Sequence, residues 1–72
     1  MKNKAMELWE KHQGEAEWDR YDLVDPPYTW ECNVALEIEG FKFEGWGYNC
    51  CGDRTVVELD CTCPDGSIIK IF

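Results

Sequence analysis

The chain is poor in histidine and serine, two residues that often form the base and the nucleophile of a catalytic site. Among its 72 residues there is one histidine, His12, and one serine, Ser67. His12 lies on the apolar stripe of a predicted helix and Ser67 follows a predicted hairpin turn, so neither is placed as a base or a nucleophile. Carboxylates are so numerous that their proximity is uninformative, and no glycine-rich phosphate loop is present. We therefore expect no enzymatic activity.

Long apolar runs are also absent. The first residues, MKNKAMELWEKHQ, carry charges throughout, which is typical neither of a signal peptide nor of a transmembrane segment. We expect a protein of the cytosol with no membrane partner, where thiols stay reduced and disulfides are disfavoured. A chain of this length buries only about 60% of its unfolded surface on folding. Its four Trp, three Tyr and three Phe can nevertheless build a good small core.

Basic residues are scarce. Seven Lys and Arg stand against fifteen Asp and Glu, which gives a formal net charge of −8. Residues 15–72 hold thirteen of the acids and only four of the bases. Such a field repels phosphate backbones and attracts basic surfaces. The charge therefore disfavours direct nucleic-acid binding and favours a basic protein partner.

The chain begins with a segment of helical pattern. Within residues 1–13, Ala5, Leu8, Trp9 and His12 fall at three- and four-residue spacings, which predicts an amphipathic helix. Residues 14–27 are a connector of ambiguous structure, because EAEWDRYDLV suits either a helix extension or an extended segment. The DPP at 25–27 ends whatever precedes it, since proline cannot continue a helix.

From Tyr28 onward, apolar and polar residues alternate, which indicates strands. A tight turn at Glu39-Gly40 pairs Ile38 with Phe41, and it places Glu37 opposite Lys42. A three-residue loop at 64–66 likewise pairs Cys61 with Ile69, Leu59 with Ile71 and Asp60 with Lys70. The prediction is one α+β domain over residues 1–72, in which an N-terminal helix packs on a four-stranded antiparallel β-meander in residues 28–72.

This register also assigns side chains to the two faces of the predicted sheet. The third strand of the meander sends Val57, Leu59, Cys61 and Cys63 towards the core. Gly45 and Gly47 lie on the same inner face, where they would leave room for Trp9 and Trp30.

Four of the five cysteines lie between Asn49 and Cys63, which raises the question of a metal site. In the predicted meander, Cys50 and Cys51 lie at one end of a strand and Cys61 and Cys63 at the other, roughly 25 Å apart. One ion cannot bind all four ligands over that distance. The favoured interpretation is core and loop thiols, with no cofactor and no metal. A site formed by these four cysteines, or a disulfide from Cys32 to Cys50 or Cys51, remains the alternative.

The outer face of the predicted sheet carries an apolar cluster with an acidic rim. The cluster consists of Trp46, Tyr48, Val56 and Phe72. The rim consists of Glu31, Glu44, Glu58 and Asp60. Aromatic anchors surrounded by charge are typical of protein interfaces. Alternatively, residues 15–27 fold over this face with Trp18 and Tyr21, or the chain self-associates through the patch or through the edge formed by residues 68–72.

In its size, its acidity and its lack of catalytic residues, the chain is similar to small phage-encoded inhibitors of bacterial defence of the anti-CRISPR and anti-restriction type. That resemblance implies an inhibitor, acting in the host cytosol, that occludes the basic surface of a nucleic-acid-binding protein such as a CRISPR effector or a restriction enzyme. Its carboxylates would stand in for phosphates, and the residues expected to do so are Glu31, Glu37, Glu44, Glu58 and Asp60. The alternatives are a cysteine-based metal-binding or thiol-redox protein and a homo-oligomeric structural protein.

Overall fold

The computed structural model describes residues 4–25 and 28–72, with only the backbone at Asp25. Residues 1–3, where the predicted helix begins, and the prolines at 26 and 27 lie outside the described residues. The helix α1 spans Lys4–His12 and a 3-10 turn follows at Gln13–Glu15. The strands are β1 Glu17–Asp25, β2 Thr29–Ile38, β3 Phe41–Cys50, β4 Asp53–Thr62 and β5 Ile68–Lys70. They form one antiparallel sheet in sequence order, which confirms the α+β class with five strands instead of the predicted four.

The additional strand is β1, which lies in the segment that the sequence left ambiguous. It pairs with β2 from Glu17 opposite Ala35 to Asp25 opposite Thr29. Register shifts at Tyr21 and Val24 interrupt the pairing twice. Each bulge inserts one residue and reverses the side-chain alternation, so no period-two pattern appears in the sequence. Because residues 17–25 extend the sheet at its edge, they do not fold across its outer face.

The predicted register of the meander is otherwise confirmed at most positions. Ile38 lies opposite Phe41, Cys61 opposite Ile69 and Asp60 opposite Lys70. The first turn places Glu39 and Gly40 at φ 50° and 83°. Two successive left-handed residues define a type I′ turn, whose twist suits a two-residue hairpin. Beyond the end of β5, the Ile71 N–H donates to the Leu59 carbonyl at 2.8 Å, in keeping with the predicted pairing of these two residues.

The core lies between α1 and one face of the sheet, here called the inner face. Ala5, Leu8 and Trp9 are the buried residues of the helix, as its apolar stripe predicts. They pack on the buried sheet residues Val34, Phe43, Leu59 and Cys61. The rings of Trp9 and Phe43 lie 5.6 Å apart, a distance at which aromatic pairs attract one another beyond their burial.

A β-bulge in β4 changes which of its residues lie on the inner face. The register shifts between Trp46 and Gly47, so that Gly47 lies opposite Val56 and Val57 is the extra residue. Val56 therefore packs against the core, whereas Val57 is 39% exposed. The sequence predicts the reverse, with Val57 on the inner face and Val56 on the outer face, because strict alternation does not allow for an inserted residue.

The inner-face glycines Gly45 and Gly47 allow the backbones of β3 and β4 to approach closely. They were predicted to make room for tryptophan rings. A Cβ at Gly45 would overlap the Glu58 carbonyl and lie 2.8 Å from the Leu59 Cα. A Cβ at Gly47 would overlap the Thr55 carbonyl in the same way. Only residues without a side chain allow β4 to pass this close to β3.

This close approach predicts a large loss of stability in Gly45→Ala. The added methyl group meets backbone atoms, which cannot move aside as a flexible side chain would, so we expect the free energy of unfolding to fall by at least about 3 kcal/mol. The control is Gly14→Ala, because no atom lies within 4 Å of a Cβ at Gly14. We expect it to change stability by less than about 1 kcal/mol. Urea denaturation measures both, and similar stabilities for the two variants would contradict the proposed backbone contact.

Candidate functional site

The outer face of the sheet, opposite α1, collects most of the acids of the strands. Its residues form five cross-strand rows: Glu17, Ala35, Glu44, Asp60 and Lys70; Asp19, Asn33, Trp46 and Glu58; Asp22, Glu31, Tyr48 and Thr55; Glu37, Lys42, Thr62 and Ile68; and Thr29, Cys50 and Asp53. The first four rows hold eight carboxylates and two lysines. We call these eight residues the acidic sheet face: Glu17, Asp19, Asp22, Glu31, Glu37, Glu44, Glu58 and Asp60.

Two lysines lie opposite carboxylates of this face, Lys42 opposite Glu37 and Lys70 opposite Asp60, but neither forms a salt bridge among the described residues. Among the residues that the structure describes, salt bridges join Lys4 to Glu39 and His12 to Glu15, all four outside the acidic sheet face. Glu44 and Asp60 lie directly opposite each other on β3 and β4. Like charges in that position repel, which destabilises the sheet locally. A cation from outside the chain would relieve this repulsion.

Aromatic side chains occupy the middle of the acidic sheet face. Trp46 and Tyr48 are half-buried and meet edge to face, with ring centroids 5.4 Å apart. The Trp46 indole Nε1 donates a hydrogen bond of 3.0 Å to Glu58 Oε2, which fixes the ring against the neighbouring strand. Tyr21, the bulged residue of β1, lies beside them, and desolvation together with the charge and hydrogen bond of Glu31 raises the pKa of its phenol. The three rings are therefore held among carboxylates.

A shallow cleft of about 500 Å³ opens beside these rings. Its lining includes Tyr21, Trp46, Ile68 and the opposed pair Glu44 and Asp60. Apolar surface combined with unpaired carboxylates suits a lysine or arginine side chain, because the aliphatic stem can pack while the charged head is paired.

The structure brings most of the predicted binding residues together on this face. Those that lie there are Glu31, Glu37, Glu44, Trp46, Tyr48, Glu58 and Asp60. Val56 and Phe72 do not. The bulge turns Val56 to the core, and Phe72 lines a cleft on the inner side together with Trp9 and Trp18.

Phe72 lies on the inner side of the sheet, and not on the predicted outer face, for a local reason. The N–H groups of Ile71 and Phe72 both donate to the Leu59 carbonyl, at 2.8 and 3.2 Å, so the alternation of a regular strand has ended there. Tyr21, which only the alternative interpretation of residues 15–27 brings to this face, is part of the aromatic cluster. No pattern in the sequence marks the bulge that brings it there.

Four of the cysteines form two separate pairs, Cys50 with Cys51 and Cys61 with Cys63. All five are free thiols. Cys50 and Cys51 lie at the turn between β3 and β4, and Cys61 and Cys63 lie at the far end of β4, about 30 Å away for a strand of this length. Within residues 4–25 and 28–72 no group of three or more potential ligands is placed to hold a metal ion. Burial, with a smaller effect of Cys63, raises the pKa of the Cys61 thiol to about 11.

Comparisons of the chain with protein-family models, with curated proteins and with solved structures found no match. No helix in the described ranges has the length and apolar character needed to cross a membrane.

The burial of the thiols predicts an order of alkylation. At pH 8 iodoacetamide should modify the exposed Cys50 and Cys51 first and the half-buried Cys63 more slowly. The buried Cys32 and Cys61 should react only after unfolding. Mass spectrometry of timed samples measures this, and the same reaction in guanidinium chloride serves as the control that labels all five. Rapid native labelling of Cys61 would contradict the described core.

Proposed function

We propose that the protein is a small, non-enzymatic inhibitor that binds the basic, nucleic-acid-binding surface of a target protein with its acidic sheet face. The observation that carries the proposal is the set of eight carboxylates on one face, without internal salt bridges among the described residues and with Trp46 and Tyr48 in their midst. On this proposal it acts in the cytosol of a host cell. A CRISPR effector or a restriction enzyme is the type of target.

Electrostatics would bring the two proteins together. A negative face attracts a basic groove and raises the association rate, and salt weakens this attraction. The carboxylates stand on neighbouring strands about 4.8 Å apart. Along a strand, two of them are about 6.6 Å apart on β1 and on β4, whereas the two on β2 are about 20 Å apart and β3 carries only Glu44. They therefore offer a two-dimensional array of charges to the lysines and arginines that otherwise contact phosphates.

The aromatic cluster would supply the affinity that charge alone does not. Pairs of exposed charges contribute little to binding, whereas a buried aromatic anchor at the centre of an interface contributes most. The indole of Trp46 is already fixed by Glu58 and Tyr48, so its binding would cost little side-chain entropy. Inhibition then needs no chemistry, because a bound acidic face excludes the nucleic acid sterically.

The alternatives have less geometric support. Cys50 and Cys51 lie at the opposite end of β4 from Cys61 and Cys63, which separates the ligands of a common metal site. Pairing of copies through sheet edges is opposed by the two bulges of β1 and by the shortness of β5, which has three residues.

The proposal predicts that binding depends on where the charges lie rather than on their number. In a face variant, Glu44→Gln, Glu58→Gln and Asp60→Asn remove three charges from the acidic sheet face and keep the hydrogen-bond acceptor for Trp46. In a control variant, Glu7→Gln, Glu39→Gln and Asp65→Asn remove three charges from the helix and from two turns. Tagged wild type and both variants are incubated in parallel with bacterial lysate, and bound proteins are eluted with double-stranded DNA.

Wild type and the control variant should retain a basic nucleic-acid-binding protein that DNA displaces, identified by mass spectrometry. The face variant should bind that purified target at least about tenfold more weakly. Equal binding by the face and control variants would refute the role of this surface. Retention that DNA does not reverse would refute occlusion of a nucleic-acid site.

A further inference from the structure

A second cleft lies on the inner side of the sheet, beyond the end of α1. Its volume is about 400 Å³, within the range typical of small-molecule sites. Trp9, Trp18, Val56 and Phe72 supply its apolar lining. This cleft is on the opposite side of the sheet from the acidic sheet face, and the function proposed above makes no use of it.

Arg54 gives the cleft a positive charge. Its guanidinium carbon lies 5.5 Å from the centroid of the Trp18 ring, a cation–π distance that holds the group in place. Stacking leaves the in-plane N–H donors available to an acceptor. Among the described side chains no carboxylate forms a salt bridge with Arg54, although the chain has fifteen acids. The neighbouring Asp53 lies on the outer face of the sheet, opposite to the face that carries Arg54.

Gln13 adds a neutral polar group to the lining. The cleft therefore combines flat apolar walls, one fixed cation and an amide. A ligand that satisfies all three has a planar apolar body and a single anionic group. A neutral apolar molecule would leave the arginine unused, and a polyanion would meet the repulsion of a chain with a net charge of −8.

We propose that this cleft binds a small aromatic anion. The ring system lies against Trp18 and Phe72, and the carboxylate or sulfonate accepts hydrogen bonds from Arg54. Because the cleft and the acidic sheet face lie on opposite sides of the sheet, a ligand can occupy the cleft while a protein partner is bound.

The probe for the test is 8-anilinonaphthalene-1-sulfonate, an aromatic monoanion of suitable size. It is titrated into the folded full chain while its fluorescence and the indole N–H signals of the four tryptophans are recorded by NMR. We expect saturable binding of one molecule per chain, with shifts of the Trp9 and Trp18 signals. The Trp46 signal, from the other side of the sheet, serves as an internal control and should stay unchanged.

The variants test the role of the arginine. Arg54→Gln should weaken probe binding about tenfold, the usual effect of losing a charge-assisted hydrogen bond. The matched control is Arg20→Gln, because Arg20 stacks on Trp30 at 5.4 Å outside the cleft, and it should bind as wild type. Arg54→Lys keeps the charge and serves as a second variant if Arg54→Gln is not folded. The neutral analogue N-phenyl-1-naphthylamine should bind Arg54→Gln and wild type equally.

Three results would overturn the proposal: no saturable binding to the folded chain, equal affinity of the sulfonate for wild type and both Arg54 variants, or shifts confined to Trp46 or Trp30. A neutral analogue that binds wild type as tightly as the sulfonate would show that the anion is not recognised. That result would also reject the proposed ligand class. None of these outcomes depends on whether the acidic sheet face binds a protein.

Discussion

Strand β4 passes so close to β3 that neither Gly45 nor Gly47 has room for a side chain. The inserted Val57 lies at the same place and bends β4. Together these features decide which residues of β4 face the core and which face outward, and so they define both surfaces of the sheet. The small residues Cys32 and Gly47 lie opposite each other on the two central strands. Across the inner face of these strands, the Trp18 ring of β1 meets Arg54 of β4.

The charges are sorted between the two sides of the sheet. Carboxylates gather on the outer face, while both arginines stack on tryptophans on the inner side. Mutual repulsion on the outer face lowers the stability of a chain that is already small. A protein selected for stability alone would distribute these charges among the bases that it has. The cost is consistent with a surface whose charges are needed for a partner, which is the role proposed for it.

Much of the fold could be predicted because its local signals agree. The Glu39-Gly40 turn, the charge pairs Glu37–Lys42 and Asp60–Lys70, and the alternating apolar residues all indicate one register, and the structure has it. Strand β1 was not predicted, because its two bulges conceal the alternation. A bulge depends on how the neighbouring strand twists and packs, which no short stretch of sequence specifies.

The same reason limited the prediction of the candidate site. Positions on the regular parts of β2 and β3 were assigned to the correct face, including Glu31, Trp46 and Tyr48. Val56 and Phe72 were assigned to the wrong one, since the bulge at Val57 follows the first and β5 ends before the second. The alternative interpretation placed Tyr21 in a segment that covers this face. Tyr21 is instead the extra residue of a bulge in β1, and it completes the aromatic cluster.

Each strand lies next to the strand that follows it in sequence, and this simple order bears on how the chain folds. Hairpins closed by two- or three-residue loops form from residues that are near one another along the chain, so little entropy is lost in closing each loop. Folding rates rise as contacts become more local. Packing of α1 on buried residues of the sheet, with Trp9 against Phe43, joins distant parts of the sequence. We therefore expect the sheet to assemble quickly from successive hairpins, with docking of the helix as the step that completes the core.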